Sequence, residues 1–333
     1  LYEQAAFPEI TYAFKHALTQ EVAYNSVLIE RRKLLHEQTA QTIEHLYQDL
    51  LEEHYDELAH HYTRSQNSKK AIEYLHKAGQ QARQRFAHTE AVDHLTAALG
   101  LLPTLPSTPE RMQQELDLQL SFAASLQATK GPAAPEVEQA YIRARELLQQ
   151  QGESPQLFSV LRGLWVLHHV RANLAEAHAL GEQLRILAEQ GQDSALLLEA
   201  HQALGSTLLW QGEFSRARIH LERAIACYDP QRHQSLTQHY GGADPGVSCL
   251  CEIARVLWFL GYPDQALQRS QAALTLAQKL SDLFSLSYAL IFAAGLHQLR
   301  RERQMTPRRA DGGVAPAREH GFTPAVFAGT MRR

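Results

Sequence analysis

Cysteine is scarce in this chain, with Cys227, Cys249 and Cys251 the only three in 333 residues. Thiols so few and so clustered exclude the disulfide framework of a small secreted domain, and they favour a reducing, cytoplasmic setting. Glycine and proline are sparse too, at 18 and 13 residues, which excludes collagen-like and low-complexity classes. No run approaches the roughly 18 consecutive apolar residues of a membrane span. The amino end lacks the basic and apolar blocks of a signal peptide, so a membrane partner is not expected. Neither sign of charge dominates: a net charge of -4 gives no overall cationic field for nucleic acid or anionic lipid, and nucleic acid is disfavoured as a partner. Catalytic motifs of fixed spacing are missing as well. GxxxxGK[ST], GxSxG, HExxH and GxGxxG do not occur, so the chain reads as non-enzymatic, without a cofactor of its own.

What is present is helix. Apolar residues recur at helical spacing among Ala, Leu, Gln, Glu and Arg, and breaks at Gly131-Pro132, Pro155, Gly191 and Tyr262-Pro263 divide segments of roughly 12 to 20 residues. Strand signals are confined to Ile10 to Phe14, whose alternation precedes a helix around Glu21 to Leu28. Length alone allows about two to three domains or one long repeat array.

Periodicity favours the array. Tyr55, Leu58, Ala59 and Tyr62, then Ala71, Leu75 and Ala78, follow the large, Leu, small, aromatic, small, large, small order of the tetratricopeptide skeleton, with Tyr55 in place of its Trp. Ala91, Leu95, Ala98 and Pro103 repeat the second half. The cleanest copy has Leu204, Gly205 and Leu208, a turn at Gly212, then Ala217, Leu221 and Ala224, closed by Pro230. Here Gly205 and Ala217 let two helices approach while the leucines fill the groove between hairpins. Leu257, Gly261, Ala266 and Ala273 form another copy, with Ser270 in the large position. A weaker one carries Leu161, Leu164, Trp165, Ala177 and Leu184, with Gly181 in that position. Ala177, Ala217 and Ala266 are 40 and 49 residues apart, longer than the ~34-residue standard repeat, and the excess falls in the polar stretch Asp229 to Val247. The expected fold is all-α, a right-handed superhelical solenoid of tetratricopeptide-like hairpins. Its concave groove would bind a protein or peptide through side chains of the first helices.

Candidate ligand sets are weak beside this. His54, Glu57 and His61 share one helix face, as zinc ligands can, but a His-rich polar face with Tyr55, Leu58 and Tyr62 turned inward explains them and is preferred. Cys227, His233, His239, Cys249 and Cys251 could surround zinc across the polar stretch, yet Cys249 and Cys251 are one residue apart rather than two to four, and buried thiols are the preferred reading. Trp165, Trp210 and Trp258 each sit on a first helix and read as core. Arg31, Arg32 and Lys33, followed by Glu37, read as a solvated face rather than a nucleic-acid patch. Residues 301–333 lose the apolar period, and residues 300 to 333 hold eight arginines against three acids with several prolines and glycines, so a poorly ordered tail is expected.

Tyr12 to Tyr24 (YAFKHALTQEVAY), Ile29 to Gln38 (IERRKLLHEQ), Leu58 to Ala78 and Tyr262 to Ala277 resemble the carboxyl-terminal half of bacterial multidomain signalling ATPases. In that family a class III adenylate or guanylate cyclase domain often precedes an AAA-type or STAND nucleotide-switch ATPase and a tetratricopeptide array. The resemblance implies that residues 1–50 end a winged-helix-like linker module and residues 51–300 form the array. It also implies that ATP and Mg belong to upstream parts of a longer polypeptide, whose ATPase domain is a partner of the array. A start at Leu1, inside sequence already patterned as structured, fits such a piece. The function expected is a protein-interaction and regulatory module in signal transduction. Two alternatives stand beside it: an accessory part of a parent ATPase or cyclase, and a DNA-binding regulator using residues 1–50 and the Arg-rich tail.

Overall fold

The computed structural model describes residues 2–5, 10–13, 16–151, 154–231 and 243–302. Residues 232–242 of the polar stretch, with His233 and His239, and residues 303–333 of the tail lie outside them. The chain divides into two compact units, residues 1–81 with 93–107, and residues 82–92 with 108–333.

The first unit opens with two antiparallel strands, β1 (Tyr2–Ala5) and β2 (Ile10–Ala13), registered Tyr2 to Ala13 and Ala5 to Ile10. β2 is the stretch whose alternation reads as strand; β1 carries no comparable pattern. The helices α1 (Ala17–Ser26), α2 (Ile29–Leu46) and α3 (Tyr55–Ser65) follow. Then α4 (Ser68–Gln84) and α5 (His88–Leu101) run across the division between units. Leu58, Ala59, Tyr62, Ala71, Leu75, Ala78, Leu95 and Ala98 are buried, Tyr55 is half-buried, and Pro103 is exposed in a short 3-10 turn, Leu102–Thr104. Tyr62 and Tyr74 stack at 5.6 Å, and both hydroxyls donate to Glu44, at 2.7 and 2.5 Å, beside the Lys70 ammonium at 2.8 Å. Burial alone would raise the Glu44 pKa. The hydrogen bonds from Lys70, Tyr74 and Tyr62 outweigh it and hold the carboxyl below its ordinary value.

In the second unit, α6 (Pro109–Lys130) packs on α7 (Pro135–Gln151), and three hairpins follow: α8 (Gln156–Val170) with α9 (Leu174–Gly191), α10 (Ser194–Trp210) with α11 (Phe214–Cys227), and α12 (Pro245–Phe259) with α13 (Pro263–Leu280). α14 (Leu283–Leu299) begins a further repeat. Each of the three hairpins, and the end of α14, carries the same turn. Ala172, Gly212, Gly261 and Arg301 take positive φ (59°, 81°, 86° and 60°). The next residue's N–H returns to a carbonyl five residues back, Asn173 to His168, Glu213 to Leu208, Tyr262 to Leu257 and Glu302 to His297, at 2.8 to 3.0 Å. This is the Schellman arrangement, which satisfies carbonyls that a helix end would otherwise leave unpaired. The first helices α10, α12 and α14 start alike as well, unlike α8 with Pro155 at its start: Asp193, Asp244 and Asp282 accept from backbone N–H groups one turn in, a cap that contributes about 0.5–2 kcal/mol each.

Packing follows the small residues. A Cβ on Gly205 would lie 2.6 Å from Leu221 Cγ, and one on Gly181 2.8 Å from a Leu204 methyl. Those two glycines set how closely α10 approaches α11 and α9. Leu204, Gly205, Leu208, Ala217, Leu221, Ala224, Ala266 and Ala273 are buried. Consecutive helices touch, and so do alternate first helices: α8 with α10, α10 with α12, and α12 with α14. Second helices make no comparable pairing among the described residues. The unit is therefore an all-α solenoid whose first helices line its inner side.

Candidate functional site

The inner side is built from polar and aromatic groups that bridge first helices. The Arg162 Nε of α8 donates to Glu199 of α10 at 2.7 Å, and its guanidinium lies 4.7 Å from the Trp165 ring centroid. Trp165 Nε1 donates to Thr207 at 2.9 Å. One turn further along α8, His169 Nε2 is 3.3 Å from the Ser206 hydroxyl, which donates to Glu252 of α12 at 3.0 Å. With its hydrogen committed to Glu252, Ser206 accepts from His169, leaving the buried Nδ1 of that ring without a partner among the described residues.

Burial sets the charge states here. It pushes the Glu252 carboxyl up to about 7, against the opposing pull of the Ser206 hydrogen bond and of Arg255 and Arg162. Burial, then Arg162, pushes His169 down to about 4. In the same hairpin array His201 and His220 share a hydrogen bond at 3.1 Å, and burial, then His201, lowers His220 to about 4. Both rings are neutral near pH 7.

Where α10, α12 and α14 end, the inner side opens into a cleft of about 400 Å³. Its rim is Trp210, Phe214, Phe259 and Leu299; Phe214 and Phe259 stack at 4.7 Å. Arg255 lines it as well, its guanidinium carbon 5.4 Å from the Trp210 ring centroid and 4.7 Å from that of Phe292. Trp210 is 58% exposed. The sequence places it in the core with Trp165 and Trp258, and that expectation is corrected: Trp165 is buried and Trp258 half-buried, but Trp210 is the last residue of α10, past the part of the helix that its neighbours cover. A second cleft, of about 500 Å³, lies among α7, α8 and α9, and its walls carry both signs of charge in Glu138, Arg145, Glu146 and Glu176.

The sequence's metal candidates do not converge. His54 pairs with Glu57 at 3.1 Å and stacks on Tyr47, while His61 turns to His36, Nδ1 to Nδ1, at 2.9 Å. Cys249 and Cys251 are buried in separate apolar clusters, and burial raises the Cys249 thiol well above its ordinary value. Lys33 pairs with Glu30, and Arg32 lies over Tyr24 and donates to Asn25. No sequence expectation attaches to Arg162, Glu199, Glu252 or Arg255, although one signal was available. Glu252 and Arg255 are the charged residues in an otherwise apolar α12, and Glu199 is the charged residue in α10.

No family model matches the chain. An uncharacterized protein of Rhizobium meliloti (strain 1021) is 23% identical over 306 residues, 90% of this chain, and the chain spans 29% of that relative's length. Among solved structures, a Rap protein complexed with competence and sporulation factor is similar over 78% of this chain and 69% of its own, with TM-score 0.55 and 12% identity. Aspartyl phosphate phosphatase F from Bacillus subtilis is similar over 95% and 85%, with TM-score 0.53 and 13% identity. At these identities the likeness is one of fold, that of tetratricopeptide-like helical repeats. Among the described residues no helix is long and apolar enough to cross a membrane.

Proposed function

We propose that this chain is a non-catalytic, peptide- or protein-binding repeat module of a larger bacterial signalling ATPase, acting in the cytoplasm. The observation that carries the reading is the inner side of the second unit, where first helices present aromatic and charged groups around an open cleft. Repeat arrays bind through such surfaces, with affinity coming from pockets and buried anchors rather than from a reacting centre. The solved Rap protein of similar fold is complexed with competence and sporulation factor, which supports a protein or peptide ligand here.

The regulatory part of the proposal places a nucleotide-switch domain, with its ATP and Mg, upstream in the same polypeptide. The share of the relative's length that the chain spans leaves room for it. Surface chemistry supports it too: α1 buries no residue, and Leu18, Val22, Leu28 and Ile29 are exposed along α1 and the start of α2, an apolar face of the kind that an adjoining domain covers. Residues 1–50 would then end the linker module, and partner binding on residues 51–300 would bias the switch. Deleting residues 51–300 from the full polypeptide is expected to change its nucleotide turnover or its response to activation. Turnover and activation identical to those of the intact protein would remove the regulatory role.

A further inference from the structure

Arg255 is the feature of the inner side that the packing leaves unexplained. Arg162 has Glu199 as an ion-pair partner, and Arg171 has Glu138. Among the described residues Arg255 has no carboxylate within ion-pair distance and no hydrogen-bond acceptor; its guanidinium lies over the Trp210 and Phe292 rings, and the Glu252 carboxylate acts on it only at longer range. A cation between two aromatic faces is fixed in position while its N–H donors stay available. The neighbouring acid on α12, Glu252, is turned to Ser206.

Around this cation the surface is apolar and exposed. Val170, Trp210, Phe259 and Leu299 each end a first helix, two residues before the positive-φ residue of its turn, and their exposures run from 40 to 58%. The repeat thus places one apolar side chain at the end of each first helix. The last three of them line the same cleft as Arg255.

We infer that this cleft is a subsite for a carboxylate flanked by large apolar side chains, an acidic-hydrophobic peptide segment whose carboxylate meets Arg255 while its apolar groups lie against Trp210, Phe259 and Leu299. The inference rests on the peptide-binding reading above and names the chemistry of the peptide. Charge complementarity selects it. A basic segment would meet the guanidinium with like charge, and a purely apolar one would cover it without supplying the acceptors that a desolvated Arg needs.

The test uses the 333-residue chain and a random peptide library displayed on phage, with individual selected peptides synthesised for titration. Enrichment of Asp or Glu next to Phe, Leu, Ile or Trp is expected. Arg255→Gln should weaken a selected peptide at least about tenfold and flatten the salt dependence of its affinity, while Trp210→Ala, at an exposed position, should weaken it with the salt dependence kept. Thermal melts of both variants report whether the fold is intact, and Arg255→Lys, which keeps the charge, should recover part of the affinity if Arg255→Gln melts early. Peptides with basic or no charge bias, peptides insensitive to both substitutions, or no enrichment at all would overturn the subsite. Peptides that bind regardless of Arg255 would leave the module reading standing and move its site elsewhere on the inner side. Self-association of the chain that Trp210→Ala abolishes would assign the cleft to a second copy instead.

Discussion

At the scale of single residues, the unit keeps ionisable groups inside that a purely structural core would replace. Glu252 is the sharpest case, 7% exposed, with one carboxylate oxygen on Ser206 and the other without a partner among the described residues. An acid whose pKa is raised by folding binds more protons folded than unfolded, so its contribution to stability falls as pH rises through the window between the two values. For Glu252 that window runs from its ordinary value near 4.5 to about 7, and the cost above it is on the order of 3 kcal/mol. His169 and His220 act with the opposite sign. Their pKa values are pushed down to about 4, so the stability they contribute is present above about 6.5 and is lost as pH falls through 4. Glu252→Gln is therefore expected to match the parent chain near pH 4.5 and to gain on it progressively, by about 1–3 kcal/mol, as pH reaches 8. Urea unfolding at a series of pH values measures the difference, and an offset that stays constant across the series would mean that Glu252 titrates alike in the folded and unfolded chain.

At the scale of helices and turns, what the sequence made legible depended on which residue happened to occupy a repeated position. Gly212 and Gly261 mark hairpin turns because glycine adopts positive φ without cost. Ala172 and Arg301 occupy the same turn at φ 59° and 60°, and nothing in their identity announces it, since the Schellman bonds and the packing on either side impose the conformation. The capping aspartates Asp193, Asp244 and Asp282 stood in the sequence ahead of apolar stretches but lacked the regular spacing that would mark them as equivalent. The cleft was less visible still. Arg255, Trp210 and Leu299 come from three different helices, and only the stacking of those helices joins them. These turns differ in strain, which can be measured. A Cβ at Gly212 would meet no atom within 4 Å at φ 81°, so Gly212→Ala isolates the backbone cost and is expected to lose about 1 kcal/mol. Ala172→Gly should gain a few tenths to about 1 kcal/mol by relieving the same strain. Gly205→Ala is a packing change instead, placing a methyl 2.6 Å from Leu221 Cγ, and should lose about 1–3 kcal/mol. Chemical unfolding of the three variants ranks them, and a loss of stability in Ala172→Gly would argue against strain at Ala172.

At the scale of the whole chain, a solenoid differs from a globule in how far a local change is felt. Among the described residues of the second unit, consecutive helices touch and each first helix also touches the next first helix, so stability is treated as a sum of hairpin terms and nearest-neighbour interfaces. α10 lies at the centre of that scheme, buried without interruption from Leu198 to Leu209, whereas α14 ends at an exposed Leu299. Amide hydrogen exchange should accordingly be slowest in α10 and α12 and fastest in the last turns of α14. The two ends should also respond differently to mutation. Gly205→Ala should speed exchange across α8 to α12, while Ala289→Gly, a helix-interior change costing about 1 kcal/mol, should speed it in α14 and α13 and leave α8 and α9 as they were. Uniform acceleration by both substitutions would mean that the unit opens all at once and that the nearest-neighbour description fails. A gradient carries a consequence for binding. Gln298 and Leu299 line the cleft from the helix expected to be least protected, so a peptide seated at Arg255 should order the end of α14, and its binding should slow exchange there more than anywhere in α10.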